Sequence, residues 1–75
     1  MSVNIRPVGL LKRYAGEQSS FTLECAGKSI RDCLLEILIP SELVAMVIVN
    51  GSLQDKDYIV RDQDVIQLIP LVGGG

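Results

Sequence analysis

The stretch that decides the fold is residues 29–51, which read SIRDCLLEILIP, then SELVAMVIV, then NG. Ser29, with Asp32 three residues later, resembles a weaker form of the capping box that opens a helix. We therefore predict a helix over residues 30–38, which Pro40 ends because proline disfavours helical geometry in the residue before it. The apolar residues recur at the three-and-four spacing of one helix face: Ile30, Cys33, Leu34, Ile37 and Leu38. That face must lie on a sheet.

An interior strand is predicted directly after the helix. Residues 43–49 are apolar at all seven positions and β-branched at four of them, which favours a strand. Ser41, Glu42 and Leu43 can form a short turn before it. Asn50 and Gly51 are typical of the tight turn that ends a strand.

The N-terminal residues predict a hairpin. Val3 and Ile5 alternate with polar neighbours in a half-buried strand that runs on toward Leu10 and Leu11, with Pro7 and Gly9 disturbing its ladder. Residues 15–18 supply a turn. Residues 19–25 then alternate again, and this second strand has three inward positions: Phe21, Leu23 and Cys25.

Downstream, the pattern predicts one more strand. Residues 52–57 are poorly patterned, residues 61–64 form a polar turn, and residues 65–69 are the final strand. The element order, with a single helix, predicts an α+β chain of the β-grasp, or ubiquitin-like, fold: a mixed sheet of four or five strands with one helix across one face. The other face is open, and four apolar residues have the parity to point there: Val8, Leu10, Val65 and Ile69. An exposed apolar patch of this kind favours a partner surface.

Composition excludes several functional classes. Seventy-five residues allow one domain, and 48% hydrophobic with 21% charged residues is too apolar for a disordered chain and too interrupted for a membrane span. The net charge of −2, with no run of Lys or Arg, lacks the signature of a nucleic-acid binder. The N-terminus has no signal-peptide pattern, so we expect a cytoplasmic protein.

The residues that usually carry catalysis or bind metals are few. Histidine is absent, which removes the usual general base and the commonest metal ligand. Cys25 and Cys33 sit at no metal-ligand spacing and have the parity of core residues. The carboxylates at Asp55, Asp57, Asp62 and Asp64 fall in turns, where we expect them to be solvated. We therefore expect no metal site and no catalytic residues of the chain's own.

The chain ends on Gly73, Gly74 and Gly75, directly behind the final strand. Glycine loses the most conformational entropy on ordering, so a triple glycine suits a backbone that must pass through a narrow space rather than one that stabilises a fold. We predict a folded domain over residues 1–70 and a flexible tail over residues 71–75. From the tail alone, a frayed end or a linker remnant is an equally open interpretation.

At this point the sequence resembles the family of small β-grasp sulfur carriers that includes the small subunit of molybdopterin synthase and the thiamine-biosynthesis sulfur carrier. The resemblance covers nearly the whole chain. Its most specific part is residues 70–75, PLVGGG, which match the family's Pro-x-Val-x-Gly-Gly ending. Residues 47–51 are similar to the family's apolar strand running into Asn-Gly. Residues 62–64 resemble its Asp-Gly-Asp turn, with Gln63 standing where the family has glycine.

The resemblance implies a carrier rather than an enzyme. A partner similar to the ubiquitin-activating enzymes would use ATP and Mg²⁺ to attach AMP to the Gly75 carboxylate, and the carrier itself would bind no cofactor. A sulfur donor, either a persulfide or a sulfide source, would then leave a thiocarboxylate on Gly75. The acceptor would be an enzyme such as a large synthase subunit or a thiazole synthase. Gly73 and Gly74 would thread the tail into each active site, and the partner-binding anchors would be Leu10, Ile69, Leu71 and Val72.

Two other functions stay open from sequence. A ubiquitin-like protein modifier would use the same fold, tail and adenylation, with a lysine amine attacking the activated carboxylate. A plain interaction domain would need no chemistry at the tail. The pathway served, whether molybdopterin, thiamine or another metabolite, is equally open.

Overall fold

The computed structural model describes residues 2–71, and within them the chain forms five strands, one α-helix and two 3₁₀ helices. The strands are β1 (Val3–Pro7), β2 (Phe21–Leu23), β3 (Val44–Val49), β4 (Ser52–Gln54) and β5 (Val65–Pro70). The helix α1 spans Ile30–Glu36. The first 3₁₀ helix spans Gly9–Ala15 and the second spans Ser41–Leu43.

The five strands form one mixed sheet in the order β2-β1-β5-β3-β4. β1 pairs antiparallel with β2 and parallel with β5, while β3 pairs antiparallel with both β5 and β4. β3 is therefore an interior strand, and β5 lies at the centre of the sheet. This architecture, with α1 on one face, confirms the β-grasp fold predicted from the element order.

The core lies between α1 and one face of the sheet. Alternate residues of β5 point into it: Ile66 and Leu68 are each 1% exposed, whereas Val65, Gln67 and Ile69 face the other way. Fourteen apolar residues form one buried cluster: Val3, Ile5, Leu11, Cys25, Ile30, Cys33, Leu34, Ile39, Val44, Val47, Val49, Val60, Ile66 and Leu68. Both cysteines belong to it, which confirms their predicted place in the core.

The helix begins as predicted and ends earlier. The Ser29 side chain caps it by accepting a hydrogen bond from the Asp32 backbone N–H at 3.1 Å. The prediction that Leu38 lies on the buried face is wrong, because Leu38 takes a positive φ of 59° and its side chain is 80% exposed. The change of backbone direction at Leu38 brings the next residue, Ile39, into the core instead. As predicted, residues 41–43 make a short turn before β3.

Two other sequence predictions need correction. The first strand does not run on to Leu10 and Leu11, because the chain takes a φ of 58° at Gly9 and continues as a 3₁₀ helix. The poorly patterned residues 52–57 contain β4, a short edge strand that follows the Asn50-Gly51 turn. Both residues of that turn have positive φ, as a tight hairpin requires, and Gln63 keeps the positive φ of its turn at 68°.

Candidate functional site

The candidate site lies where the chain leaves the end of β5. β5 is paired on both sides, in register with β1 from Val65 to Leu68 and with β3 as far as Pro70. One residue further, the Leu71 backbone N–H donates a hydrogen bond of 2.8 Å to the Leu43 carbonyl oxygen. The sheet therefore fixes the position of residue 71, and through it the point from which residues 72–75 depart.

A small groove flanks this departure point. Its volume is about 110 Å³, and it is lined by Leu10, Leu11, Arg13, Tyr14, Leu43, Pro70 and Leu71. The lining comes from both 3₁₀ helices and from the end of β5. Leu10 and Leu71 are 71% and 60% exposed, so large apolar surfaces at the groove face solvent.

The first 3₁₀ helix is tied to β5 by one hydrogen bond at its start, and its first residue, Gly9, lies close to Pro70. The Val8 N–H donates to the Leu68 carbonyl oxygen at 3.0 Å, which ties the chain to β5 just before the turn. At Gly9 the left-handed backbone disfavours any side chain, and a Cβ added there would lie 3.5 Å from the Pro70 Cγ. The helix is thereby packed on the end of β5.

The predicted partner-binding residues fall into three groups. Leu10 and Leu71 line the groove together. Ile69 does not line it, and instead lies on the open face of the sheet, paired with Met46. Val72 lies outside the described residues, as do the predicted threading residues Gly73 and Gly74 and the predicted reaction site Gly75.

Sequence reasoning missed Arg13, Tyr14 and Leu43 as groove residues. Leu43 was assigned to the interior strand, where its side chain had no reason to meet the tail. Leu10 and Arg13 are three positions apart, the spacing of residues that share one face of a 3₁₀ helix, but the sequence pattern predicts a first strand that runs on toward Leu10 instead.

A polar network sits at the other end of β5, and it corrects one prediction. Asp64 was expected to be solvated, yet it is only 5% exposed. Its carboxylate accepts hydrogen bonds from the Asn50 side chain at 2.8 Å, and from the Tyr58 hydroxyl and the Arg61 backbone N–H at 2.9 Å each. Burial alone would raise the pKa of Asp64, but these hydrogen bonds outweigh it and hold the pKa below its ordinary value. The pKa of Tyr58 is raised, by burial and then by its bond to Asp64.

The described residues offer little chemistry of their own. Burial raises the pKa of both Cys25 and Cys33, so each thiol stays protonated and unreactive at neutral pH. Residues 2–71 contain no group of three side chains that could hold a metal ion. Across the same residues, no helix has the length and apolar character needed to cross a membrane.

Comparison with known proteins places this geometry in a family. The model of the ThiS family matches residues 8–75, which include the first 3₁₀ helix, β5 and the three C-terminal glycines. The chain belongs to the ThiS family. It is thus a member of the ubiquitin-like sulfur carriers, a family whose proteins are carriers without catalytic activity. A search of curated proteins gave no match.

Solved structures share the whole fold with this family member. A putative molybdopterin converting factor subunit 1 from Pyrococcus furiosus matches with a TM-score of 0.73 and 22% identity, covering 96% of this chain and 99% of that one. SAMP1 from Haloferax volcanii matches with a TM-score of 0.73 and 20% identity over 100% of both chains. A chain from the complex of subunits 1 and 2 of molybdopterin-converting factor from Helicobacter pylori matches with a TM-score of 0.64 and 26% identity over 100% of both.

Proposed function

We propose that this protein is a sulfur carrier whose reactive group is the carboxylate of Gly75. An E1-like adenylyltransferase joins that carboxylate to AMP, with loss of pyrophosphate from ATP. Sulfide then attacks the carbonyl carbon and expels AMP, which leaves a thiocarboxylate. Where a persulfide attacks instead, it forms an acyl disulfide, and a partner thiol cleaves the S–S bond, forming a disulfide with the donor's sulfur and releasing the thiocarboxylate. The thiocarboxylate donates its sulfur to a precursor bound on a second enzyme, in molybdopterin or thiamine biosynthesis.

The observation that carries this proposal is the family match, which runs through the glycines to Gly75. The geometry at the end of β5 supports it. Residue 71 is held by the sheet, and residues 71–75 reach about 17 Å when extended, enough to carry a carboxylate from the domain into a buried active site. Gly73 and Gly74 keep that thread narrow because they have no side chains. We propose residues 1–70 as the folded domain and residues 71–75 as the tail, whose first residue is tied to the sheet by its backbone N–H.

The proposal assigns the chemistry to partners. The activating enzyme supplies ATP and Mg²⁺, a persulfide or sulfide source supplies sulfur, and the acceptor is a large synthase subunit or a thiazole synthase. The Helicobacter pylori complex supports an acceptor subunit as partner, because there a similar chain is solved with the other subunit of its factor. We propose that Leu10, Ile69, Leu71 and Val72 anchor these partners, and that the protein works in the cytoplasm, where ATP is available.

Intact-protein mass spectrometry of the chain isolated from its own cells tests the proposal. We expect replacement of one oxygen by sulfur, located at Gly75 by fragmentation. Deletion of Gly75, or Gly75→Ala, should abolish the thiocarboxylate and leave the fold unchanged by circular dichroism. Gln18→Ala, an exposed change in the turn before β2, is the matched control and should load normally. Normal loading of the Gly75 variants would contradict the assignment.

A protein modifier is the second candidate. The fold is similar to that of SAMP1 from Haloferax volcanii and of Urm1 from Trypanosoma brucei. It is also similar to a Methanosarcina acetivorans protein that is named a small archaeal modifier protein, and this name supports the modifier function as a candidate. In that case cell lysate would contain isopeptide-linked conjugates of this chain, and they would disappear when Gly75 is deleted. An interaction domain predicts neither conjugates nor thiocarboxylate, and no effect of shortening the tail.

A further inference from the structure

The groove at Leu71 is lined by six apolar or aromatic residues and one cation. Leu10, Leu11, Tyr14, Leu43, Pro70 and Leu71 supply the apolar and aromatic lining, and the guanidinium of Arg13 is the charged group among the lining residues. Among the described residues 2–71, no carboxylate lines the groove. Glu42, the residue before Leu43, is exposed and is not part of the lining.

Arg13 has no partner among the described residues. The ion pairs within residues 2–71 join Lys28 to Glu36 at 2.8 Å and Arg31 to Asp57 at 3.5 Å. Arg6 and Lys56 donate hydrogen bonds to Asn4 and to the Ser41 carbonyl oxygen. Arg13 makes neither an ion pair nor a side-chain hydrogen bond within these residues. It is exposed and lies in the lining of the groove. Within residues 2–71 its five N–H groups have no acceptor, so they can bind one brought by another molecule.

We propose that this groove receives a surface segment of the activating enzyme that carries a large apolar side chain next to a carboxylate. The inference rests on the proposed function and names the chemistry of its first partner. The apolar side chain fills the groove, and the carboxylate pairs with Arg13. The groove is continuous with residue 71, so a partner seated there holds the base of the tail while its active site receives Gly75.

The size of the groove fits one side chain. Its volume of about 110 Å³ is comparable to the cavity of about 150 Å³ that admits benzene in another protein. Interfaces of this kind concentrate their affinity in a few anchors that enter such pockets, surrounded by a rim that excludes water. Leu10 and Leu71, both largely exposed, would bury much of their surface on docking.

The charge determines which partners are accepted. A partner that covered the groove with an apolar or basic surface would remove water from Arg13 without replacing its hydrogen bonds. This loss of hydration makes the binding free energy less favourable. A carboxylate in the right place removes that penalty and pairs bidentately with the guanidinium. Arg13 therefore discriminates against wrong partners as much as it attracts the correct one.

The test is the adenylation of this protein by the E1-like adenylyltransferase encoded in the same genome, with KM for the carrier and kcat measured separately. We expect Arg13→Glu to raise KM about tenfold with kcat unchanged, a change equivalent to about 1.4 kcal/mol of binding free energy. Arg31→Glu makes the same change of net charge on α1, outside the lining of this groove, and should leave KM within about twofold because exposed pairs contribute little. The KM of the native protein should also rise with salt more steeply than that of Arg13→Glu.

Arg13→Gln keeps the inference testable if the charge reversal disturbs folding, and it should raise KM less and in the same direction. KM values for both Arg13 variants equal to that of Arg31→Glu would overturn the groove assignment and leave the carrier function intact. A native protein that is adenylated at no concentration would overturn both. A raised KM confined to the Arg13 variants supports the inference.

Discussion

Three hydrogen-bond donors converge on the carboxylate of Asp64, and they come from three parts of the chain. Asn50 lies in the turn after β3, Tyr58 in the loop after β4, and Arg61 in the turn before β5. The Asn50 side chain in turn accepts a bond from the Val65 N–H at 2.9 Å. One buried carboxylate therefore fixes where β5 enters the sheet.

Asp64→Ala should lower the free energy of unfolding by about 2 kcal/mol, because it removes the shared acceptor of three part-buried hydrogen bonds. Urea denaturation measures the change. Asp62→Ala is the matched control: it removes a carboxylate from the same turn, but an exposed one, and should cost less than about 0.5 kcal/mol. Equal costs for the two variants would show that the network does not hold the turn.

The same network predicts a pH dependence. The pKa of Asp64 is lowered in the folded protein, so its contribution to stability is fully present above the unfolded-state pKa of about 3.9 and is lost as pH falls through the folded pKa. Unfolding free energy should therefore decline below about pH 4. In Asp64→Asn, which carries no titrating group there, the decline should be shallower. A decline of equal steepness would assign it to other carboxylates.

At the scale of elements, the end of α1 carries avoidable strain. Leu38 has a φ of 59°, and this left-handed backbone conformation is unfavourable for a residue with a Cβ. Its side chain is 80% exposed, so burial contributes little stabilisation to offset the unfavourable backbone. Its N–H bonds the Leu35 carbonyl oxygen at 3.3 Å, while the Ile39 N–H reaches back to the Leu34 carbonyl oxygen. Glycine is the residue that such helix ends favour.

Leu38→Gly should raise the free energy of unfolding by about 0.5 to 1 kcal/mol, since glycine adopts this φ without steric cost. Leu35→Gly is the comparison variant: Leu35 is 70% exposed but lies inside α1, so there glycine should destabilise by about 1 kcal/mol. Thermal unfolding of the two proteins measures both changes. If both variants changed the free energy of unfolding in the same direction, the backbone conformation of Leu38 would not be a source of strain.

The elements that sequence predicts well are those with a strong local pattern. Ser29 and Asp32 indicate the start of α1. The continuous apolar run of residues 44–49 predicts an interior strand. β4 has only three residues, and because Leu53 is exposed the strand shows no alternation of buried apolar and exposed polar positions. β4 therefore depends on its pairing with β3. The 3₁₀ helix after Gly9 depends likewise on contacts with β5, which local sequence cannot encode.

At the scale of the molecule, the candidate site is a product of assembly. Leu10, Leu43 and Leu71 are far apart in sequence and meet only because β5 lies at the sheet centre with a 3₁₀ helix on each side of its end. Sequence parity placed Ile69 on the open face, where it lies. Leu10 and Leu71 were named as anchors by the family resemblance, and both are exposed. Sequence parity could not find Arg13 or Leu43, whose relevance depends on the turn at Gly9 and on the Leu71–Leu43 hydrogen bond.

Leu10→Ser should slow thiocarboxylate formation about tenfold or more at low carrier concentration, because an anchor of the docking surface is lost. Leu35→Ser is the matched control: the two side chains are exposed to almost the same extent, 71% and 70%, but Leu35 lies on α1, across the sheet from its open face. Loading assays with the activating enzyme give the rates. Equal slowing by both would indicate a general effect of surface hydrophobicity rather than a docking site.

The parallel pairing of β1 with β5 has a consequence for how the protein is made. Of the five described strands, β1 is translated before the others and β5 after them. Until residues 65–70 emerge from the ribosome, the other four strands can form two separate pairs, β1 with β2 and β3 with β4. Two-stranded pieces of this kind are marginal in water. The nascent chain therefore remains a target for proteases until β5 is complete. Every molecule that survives to fold carries the strand that holds residue 71 in place.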